Sequence, residues 1–178
     1  MNWDRMCFDA QYIFLNRFVN KIPSWAIRRL IYVKCGMHLH ENARIGIGTV
    51  VICPHNISIG ERSVINENCF LDGRGGLKIG RDTSISAYTK ILSASHRSNG
   101  KNFQYYTRKT IIGKHVWIGL GAVILDGSKV EDDTIIGAGA VLKGCTSKKD
   151  IMVGNPAKCI KKREMHNDYH LEYKAFFR

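Results

Sequence analysis

The sequence predicts an all-β chain folded as a solenoid of stacked coils, and three observations carry that prediction. An aliphatic residue returns at every sixth position, glycine often follows it, and a small or β-branched residue commonly stands four places after it. Ile59, Ile65 and Leu71 set the spacing, Ile79, Ile85 and Ile91 repeat it, and Ile112, Ile118, Ile124, Val130, Ile136 and Leu142 extend it. The register slips by two residues at Asp72-Gly73-Arg74-Gly75-Gly76, and a long insertion separates His96 from Ile112. A period of six fits neither an amphipathic helix, which needs about 3.6 residues, nor a simple strand, which needs alternation.

Each six-residue unit supplies one short strand and one turn. Gly60, Gly80, Gly113, Gly119 and Gly137 follow the aliphatic position, where glycine permits the turn. Ser63, Thr83, Thr89, Ala122, Thr134 and Ala140 are the small or β-branched members. The aliphatic residues point into a narrow prism and are covered only by the coils above and below, so rows of Ile and Val form the core.

The flanks differ from the repeat. Residues 1–42 hold Tyr12, Ile13, Leu15, Phe18, Val19, Ile22, Trp25, Ile27, Leu30 and Ile31 at helical spacing, with Pro23 as a break and Ser24 as an N-cap. Such a segment serves either as a cap on the open end of the solenoid or, through Lys21, Arg28, Arg29 and Lys34, as a basic amphipathic surface resting on an anionic membrane. The solenoid is expected over 43–160, with a loop insertion at 97–110. Residues 161–178 mix charges with Met165, Tyr169, Leu171, Tyr173, Phe176 and Phe177 and are expected to form a helical tail packed on the solenoid or on a neighbour.

Composition narrows the partners. A formal net charge of +12 on 178 residues favours a polyanion: nucleic acid, an anionic membrane face, an acidic polymer or a phosphorylated cofactor. There is no helix-turn-helix pattern, zinc finger or stacking-aromatic motif, so nucleic acid is not expected. Cys7, Cys35, Cys53, Cys69, Cys145 and Cys159 are scattered, without a Cys-x-x-Cys pair, and read as thiols in a reducing compartment. Arg5, Asp9 and Arg17 interrupt the apolar residues near the N-terminus, and no apolar run reaches the length of a membrane span, so a cytoplasmic protein is expected.

Three segments bring the repeat close to a known family. Ile91-Leu92-Ser93-Ala94-Ser95-His96 ends a coil on a histidine, Ile112-Gly113-Lys114-His115-Val116-Trp117-Ile118-Gly119 resumes after the insertion, and Val153-Gly154-Asn155-Pro156-Ala157-Lys158 closes the repeat. Over residues 42 to 162 the pattern resembles the left-handed parallel β-helix of the hexapeptide-repeat acyltransferases. The resemblance implies a homotrimer with active sites between neighbouring subunits, acetyl-coenzyme A as acyl donor, no metal, and His96 as general base. A sugar hydroxyl is a poor nucleophile at neutral pH, so a neutral imidazole must take its proton as it attacks the thioester.

The same resemblance implies the remaining roles. A backbone N–H after Trp117, near Gly119 or Leu120, would face the oxyanion. Leu120 stands where some relatives carry Ser or Gly, a departure that a backbone donor tolerates. The cofactor would lie along Trp117, Gly119, Leu120, Ala138, Asn155 and Pro156, with Lys143, Lys158 and Lys161 beside its phosphates. For the acceptor, Asn66 and Asp72 fall near positions that galactoside-acetylating relatives use, but the second acid of those relatives is replaced in Asp72-Gly73-Arg74. Independently of the resemblance, the polar, aromatic and basic insertion could wall the acceptor pocket, where Tyr105, Tyr106 and Arg108 would suit an acidic or bulky saccharide, and Arg74 is a further candidate substrate-binding residue.

Other uses of the same residues stay open. An aminosugar or xenobiotic amine could replace the hydroxyl, and a solenoid can serve as a scaffold without catalysis. A metal enzyme of the carbonic-anhydrase-like type needs three converging histidines, whereas only His96 and His115 lie in suitable coils. His115 itself stands at a variable position, where a solvent-facing or intersubunit side chain is expected. The short chain and its basic amphipathic start look like the O-acetyltransferases of surface polysaccharides, and the extended helical domain of serine acetyltransferases is missing.

Overall fold

Turning the chain after every second or third strand residue folds each run of about eighteen residues into a three-sided coil, and the coils stack in register. A computed structural model of the chain describes residues 3–99, 102–164 and 169–172. The first face stacks His38–Leu39, Ile57–Ile59, Leu77–Ile79, Thr110–Ile112 and Lys129–Val130. The second stacks Arg44–Ile45, Val64–Ile65, Ser84–Ile85, Trp117–Ile118, Ile135–Ile136 and Asp150–Val153. The third stacks Val50–Ile52, Phe70–Asp72, Lys90–Ile91, Val123–Ile124 and Val141–Leu142. All of these pairings are parallel, with like positions opposite one another, as in Ile45, Ile65, Ile85, Ile118, Ile136 and Met152 along the second face.

The core is therefore a set of columns. Ile85, Ile91, Ile118, Ile124 and Ile136 are 0% exposed, each stabilising the stack by roughly 1.5–3 kcal/mol of apolar burial. The small positions carry hydroxyls inward, and these are satisfied between coils: Ser63 donates to the Gly80 carbonyl at 2.6 Å and Thr83 to the Gly113 carbonyl at 2.8 Å. At the corner between the first and second faces, Arg62, Asp82, His115, Asp133 and Lys149 stack above one another, all with φ between 52° and 63°. In that column the N–H groups of Asp82, His115, Asp133 and Lys149 bond the coil before, as from Asp133 to the Lys114 carbonyl at 2.9 Å, which supports the left-handed conformation.

Two helices close the N-terminal end. Helix α1, Trp3–Ile13, runs on through a π-helical turn, Phe14–Phe18, and a short 3-10 turn, Val19–Lys21; helix α2 is Trp25–Lys34. Leu15 and Val19 are buried against the first coil, and Asn16 both accepts from Val51 N at 2.8 Å and donates to its carbonyl at 2.9 Å. Ser24 occupies the N-cap position but its side chain makes no cap hydrogen bond. Arg28, expected to face outward with the other cations, is instead 0% exposed and donates to the carbonyls of Ile22, Pro23 and Ile45. The open end presents carbonyls that need donors, and a guanidinium supplies several at once.

At the other end the chain reverses. Lys158–Lys162 is a strand antiparallel to Asp150–Val153, not the start of a helix. Residues 163, 164 and 169–172 are irregular, and the rest of the expected helical tail lies outside the described residues. The described residues of the tail pack back on the solenoid: Arg163 donates to the His115 carbonyl at 2.9 Å, Tyr169 to the same oxygen at 3.2 Å, and Leu171 N to Asp82 at 3.1 Å.

Candidate functional site

The insertion leaves the solenoid at the corner between the third and first faces and forms a β-hairpin, Ala94–His96 against Tyr105–Thr107. His96 belongs to the hairpin itself, opposite Tyr105, so the excursion begins at Ala94, three residues before the expected start at 97. Its foot rests on the glycine-rich slip. A Cβ on Gly75 would lie 2.4 Å from the Ser93 carbonyl oxygen, so only glycine fits there, and Gly75 N donates to Ser93 Oγ at 2.8 Å.

Asp72 belongs to this foot and not to an acceptor pocket. Its carboxylate is 0% exposed and accepts from Ser93 N at 3.0 Å, Arg74 N at 3.0 Å, and the Arg74 guanidinium at 2.9 and 3.0 Å. Burial opposes its ionisation, but the Arg74 guanidinium and the two backbone donors outweigh burial and hold the carboxyl below its usual range. Arg74 in turn lies 6.0 Å from the centre of the Tyr105 ring, linking the foot to the hairpin.

His96 is held from two sides. Its Nδ1 lies 2.9 Å from the Phe103 carbonyl oxygen, and its ring stacks on Phe103 at 3.9 Å, with Tyr105 edge-on at 5.6 Å. A carbonyl oxygen can only accept, so Nδ1 carries a hydrogen, and the lone pair of the neutral ring is then on Nε2. The ring lines a cavity of about 580 Å³ together with Arg97, Gln104, Tyr106, Arg108 and Lys143. Tyr106 is flanked by the guanidinium groups of Arg108 at 5.0 Å and Arg97 at 6.0 Å. No motif in the sequence marks Phe103, Arg97 or Gln104 as site residues.

The other candidates stand on a different edge of the prism. Asn66, Gly119, Leu120 and Ala138 stack at the corner between the second and third faces, where Gly139 N bonds the Leu120 carbonyl at 2.8 Å. Asn155 and Pro156 follow above them, since the Gly154 carbonyl and Ala157 N both bond Val141. Asn66 is half-buried and donates to the Ile85 carbonyl at 2.9 Å, a turn contact. Gly119 is buried, its N–H is committed to the Ile136 carbonyl at 2.7 Å, and a Cβ there would meet Ala138 N at 2.5 Å. Gly119 is thus a packing glycine; among the bonds between described residues the Leu120 N–H has no acceptor. Leu120 and Trp117 are exposed, the indole N–H reaching Ser86 Oγ at 3.3 Å.

One chain therefore does not assemble its candidates. His96, Asp72, Arg74, Tyr105, Tyr106 and Lys143 lie at one end of the third-face strands; Asn66, Trp117, Leu120, Ala138, Asn155 and Pro156 lie at the other. Lys158 and Lys161 are exposed on the reversed strand. His115 is fully buried within one chain, where a solvent-facing or intersubunit side chain is expected: Tyr169 of the tail covers it at 5.2 Å and its Nδ1 is 3.2 Å from Asp133. It shares no corner with His96. Among the described residues no group of three or more His, Cys, Asp or Glu is placed to hold a metal ion.

Residues 109–144 match the family model for the bacterial transferase hexapeptide, six repeats. That segment carries hexapeptide repeats. Among solved structures the chain is similar to a maltose O-acetyltransferase from Clostridium difficile, at 24% identity and a TM-score of 0.79, covering 90% of this chain and 88% of that one. It is also similar to a hexapeptide-repeat-containing acetyltransferase of Vibrio cholerae complexed with acetyl-coenzyme A, at 19% identity and a TM-score of 0.81, covering 92% and 91%. Nodulation protein L of Rhizobium meliloti is 37% identical over 92 residues, 47% of this chain and 50% of that protein. The chain spans about half the length of the first curated relatives it matches.

Proposed function

We propose that this chain transfers the acetyl group of acetyl-coenzyme A to a saccharide hydroxyl, as carried by a surface polysaccharide or its precursor, with His96 as general base. The observation that carries this reading is the 2.9 Å contact between His96 Nδ1 and the Phe103 carbonyl oxygen, which leaves Nε2 as the basic nitrogen of the neutral ring, in a residue that lines a cationic, aromatic cavity. Nε2 takes the hydroxyl proton as the oxygen attacks the thioester carbonyl, and a Leu120 N–H donates to the oxyanion. Collapse expels the coenzyme A thiolate, which recovers the proton from the imidazolium. Such a base contributes on the order of 10²–10⁴ in rate.

The separation of the candidates supports a shared site. His96 and Leu120 stand on different corners, so a neighbouring copy must bring its Leu120 edge to this chain's hairpin, as a cyclic trimer does. Lys143 and Arg108 near the cavity, and Lys158 and Lys161 beyond it, suit the phosphates of the donor. The maltose and acetyl-coenzyme A relationships of the solved relatives support the choice of acceptor and donor.

The test is mass spectrometry of a glycan and aminosugar panel incubated with isotope-labelled acetyl-coenzyme A. A labelled ester on a glycan, lost in His96→Ala, is the expected result. Near-normal transfer by that variant, or labelling of amines alone, would overturn the base or the acceptor respectively. Mixing His96→Ala with Ala138→Trp chains should restore up to about a quarter of the activity if each site spans two copies. No restoration would place the whole site in one chain.

A further inference from the structure

Helix α2 buries Tyr32 and packs Trp25 and Ile31 on the core, yet a second apolar row faces out. Its one fully buried cation, Arg28, points at the solenoid, while Ile27, Leu30 and Val33 are 49%, 54% and 40% exposed on the outward face. A helix facing water carries polar residues on that face. The π-helical turn of the same cap adds Phe14 and Phe18, 48% and 64% exposed. Exposed apolar side chains in this density mark a surface meant to be covered.

The charge around them selects the cover. Between Asp9 and Glu41 there is no acidic residue, whereas Arg17, Lys21, Arg28, Arg29 and Lys34 all fall in that stretch. Arg17, Lys21 and Lys34 are exposed. A second copy would bring the same cations against these, in a chain already at +12, whereas a bilayer with anionic headgroups accepts both the apolar residues and the cations beside them.

We propose that the N-terminal cap is a peripheral membrane-docking surface. Ile27, Leu30 and Val33, with Phe14 and Phe18, enter the boundary between headgroups and acyl chains of an anionic bilayer. Arg17, Lys21 and Lys34 meet the phosphates. No described helix is long and apolar enough to cross a membrane, so the attachment lies in the plane of the surface. The proposal stands on the fold alone and is read without any acetyl donor, so it fails or holds independently of the enzymatic reading.

The experiment is flotation of the full chain with vesicles of phosphatidylcholine alone or mixed with phosphatidylglycerol. The protein should float with the mixed vesicles and not with the neutral ones, and lose binding as salt is raised. Ile27→Ser/Leu30→Ser/Val33→Ser should reduce binding about tenfold or more. Lys21→Gln and Lys34→Gln, which remove no apolar contact, should each reduce it roughly fivefold. Sedimentation of the same variants in solution should show an unchanged oligomer. Absence of wild-type flotation, equal flotation with neutral vesicles, or loss of the oligomer in the apolar variant would overturn the proposal; the last would make this face a joint between copies.

Discussion

Phe103 grips His96 twice, once through its carbonyl oxygen, 2.9 Å from Nδ1, and once through its ring, stacked 3.9 Å away at an interplanar angle of 15°. The main-chain contact sets the tautomer and the side chain sets the ring plane, so the two are separable by mutation. Phe103→Ala keeps the carbonyl and loses the stack; turnover should fall about tenfold with KM little changed. His96→Ala should lose about two to four orders of magnitude. Steady-state kinetics of both variants check this, and equal losses in the two would assign the effect to hairpin collapse.

The hairpin foot is expected to be sensitive at Arg74. Removing its side chain leaves the buried Asp72 carboxylate with backbone donors alone. Because Arg74 is partly exposed, Arg74→Ala should cost about 1–3 kcal/mol, below the range for a fully buried pair. Denaturant midpoints measure the loss, and Arg74→Ala/Asp72→Asn should be less destabilised than Arg74→Ala.

Glycines of the same corner should differ. Gly119→Ala forces a methyl to 2.5 Å from Ala138 N and must push adjacent coils apart, costing about 1–3 kcal/mol or more. Gly139→Ala meets no atom within 4 Å but sits at φ +65°, so its cost is the left-handed backbone alone, about 1 kcal/mol. Thermal melts that rank them the other way would contradict the packing role.

Neighbours in sequence should also behave differently. Ile118 is 0% exposed, so Ile118→Ala opens a cavity in its column and should cost about 2–5 kcal/mol. Leu120→Ala, two residues on and 55% exposed, should change stability by no more than about 0.5 kcal/mol while keeping its N–H. Chemical unfolding of the pair decides it.

Acid should unfold the chain through Asp82. Burial opposes its ionisation, but the bidentate Arg62 guanidinium at 2.7 and 2.8 Å and the Leu171 N–H outweigh burial and hold the carboxyl far below its usual range. A depressed folded-state pKa means that the stabilisation is complete above the ordinary carboxylate value of about 3.9 and is lost as pH falls below it. Wild-type melting temperature should therefore drop steeply from about pH 4 downward. Asp82→Asn should start lower at neutral pH and fall less.

The rows of Ile are legible because a residue buried between coils recurs at the coil's own period, and nothing but spacing is needed to see it. His96 is legible as the residue at which the period stops. Phe103 is not, because its contribution is a backbone carbonyl, which any residue type supplies. Asp72 misleads because a carboxylate near a family position looks the same whether it faces a ligand or an arginine two residues away. His115 and Arg28 look outward-facing in the sequence for the same reason. Burial of a charged or polar side chain depends on which distant segment covers it, here the tail and the first coil, and spacing carries no record of that.

Ladders of parallel strands have no natural stopping point, and a solenoid with bare terminal coils would template copies of itself into a fibre. This chain blocks growth at both terminal coils. Arg28 and Asn16 occupy backbone groups of the first coil, and Lys158–Lys162 runs against the direction that a further coil would need, with lysines at 158, 161 and 162 on a fully exposed strand. The reversed strand thus sets an opposed chain direction and a row of cations against any further coil on the second face.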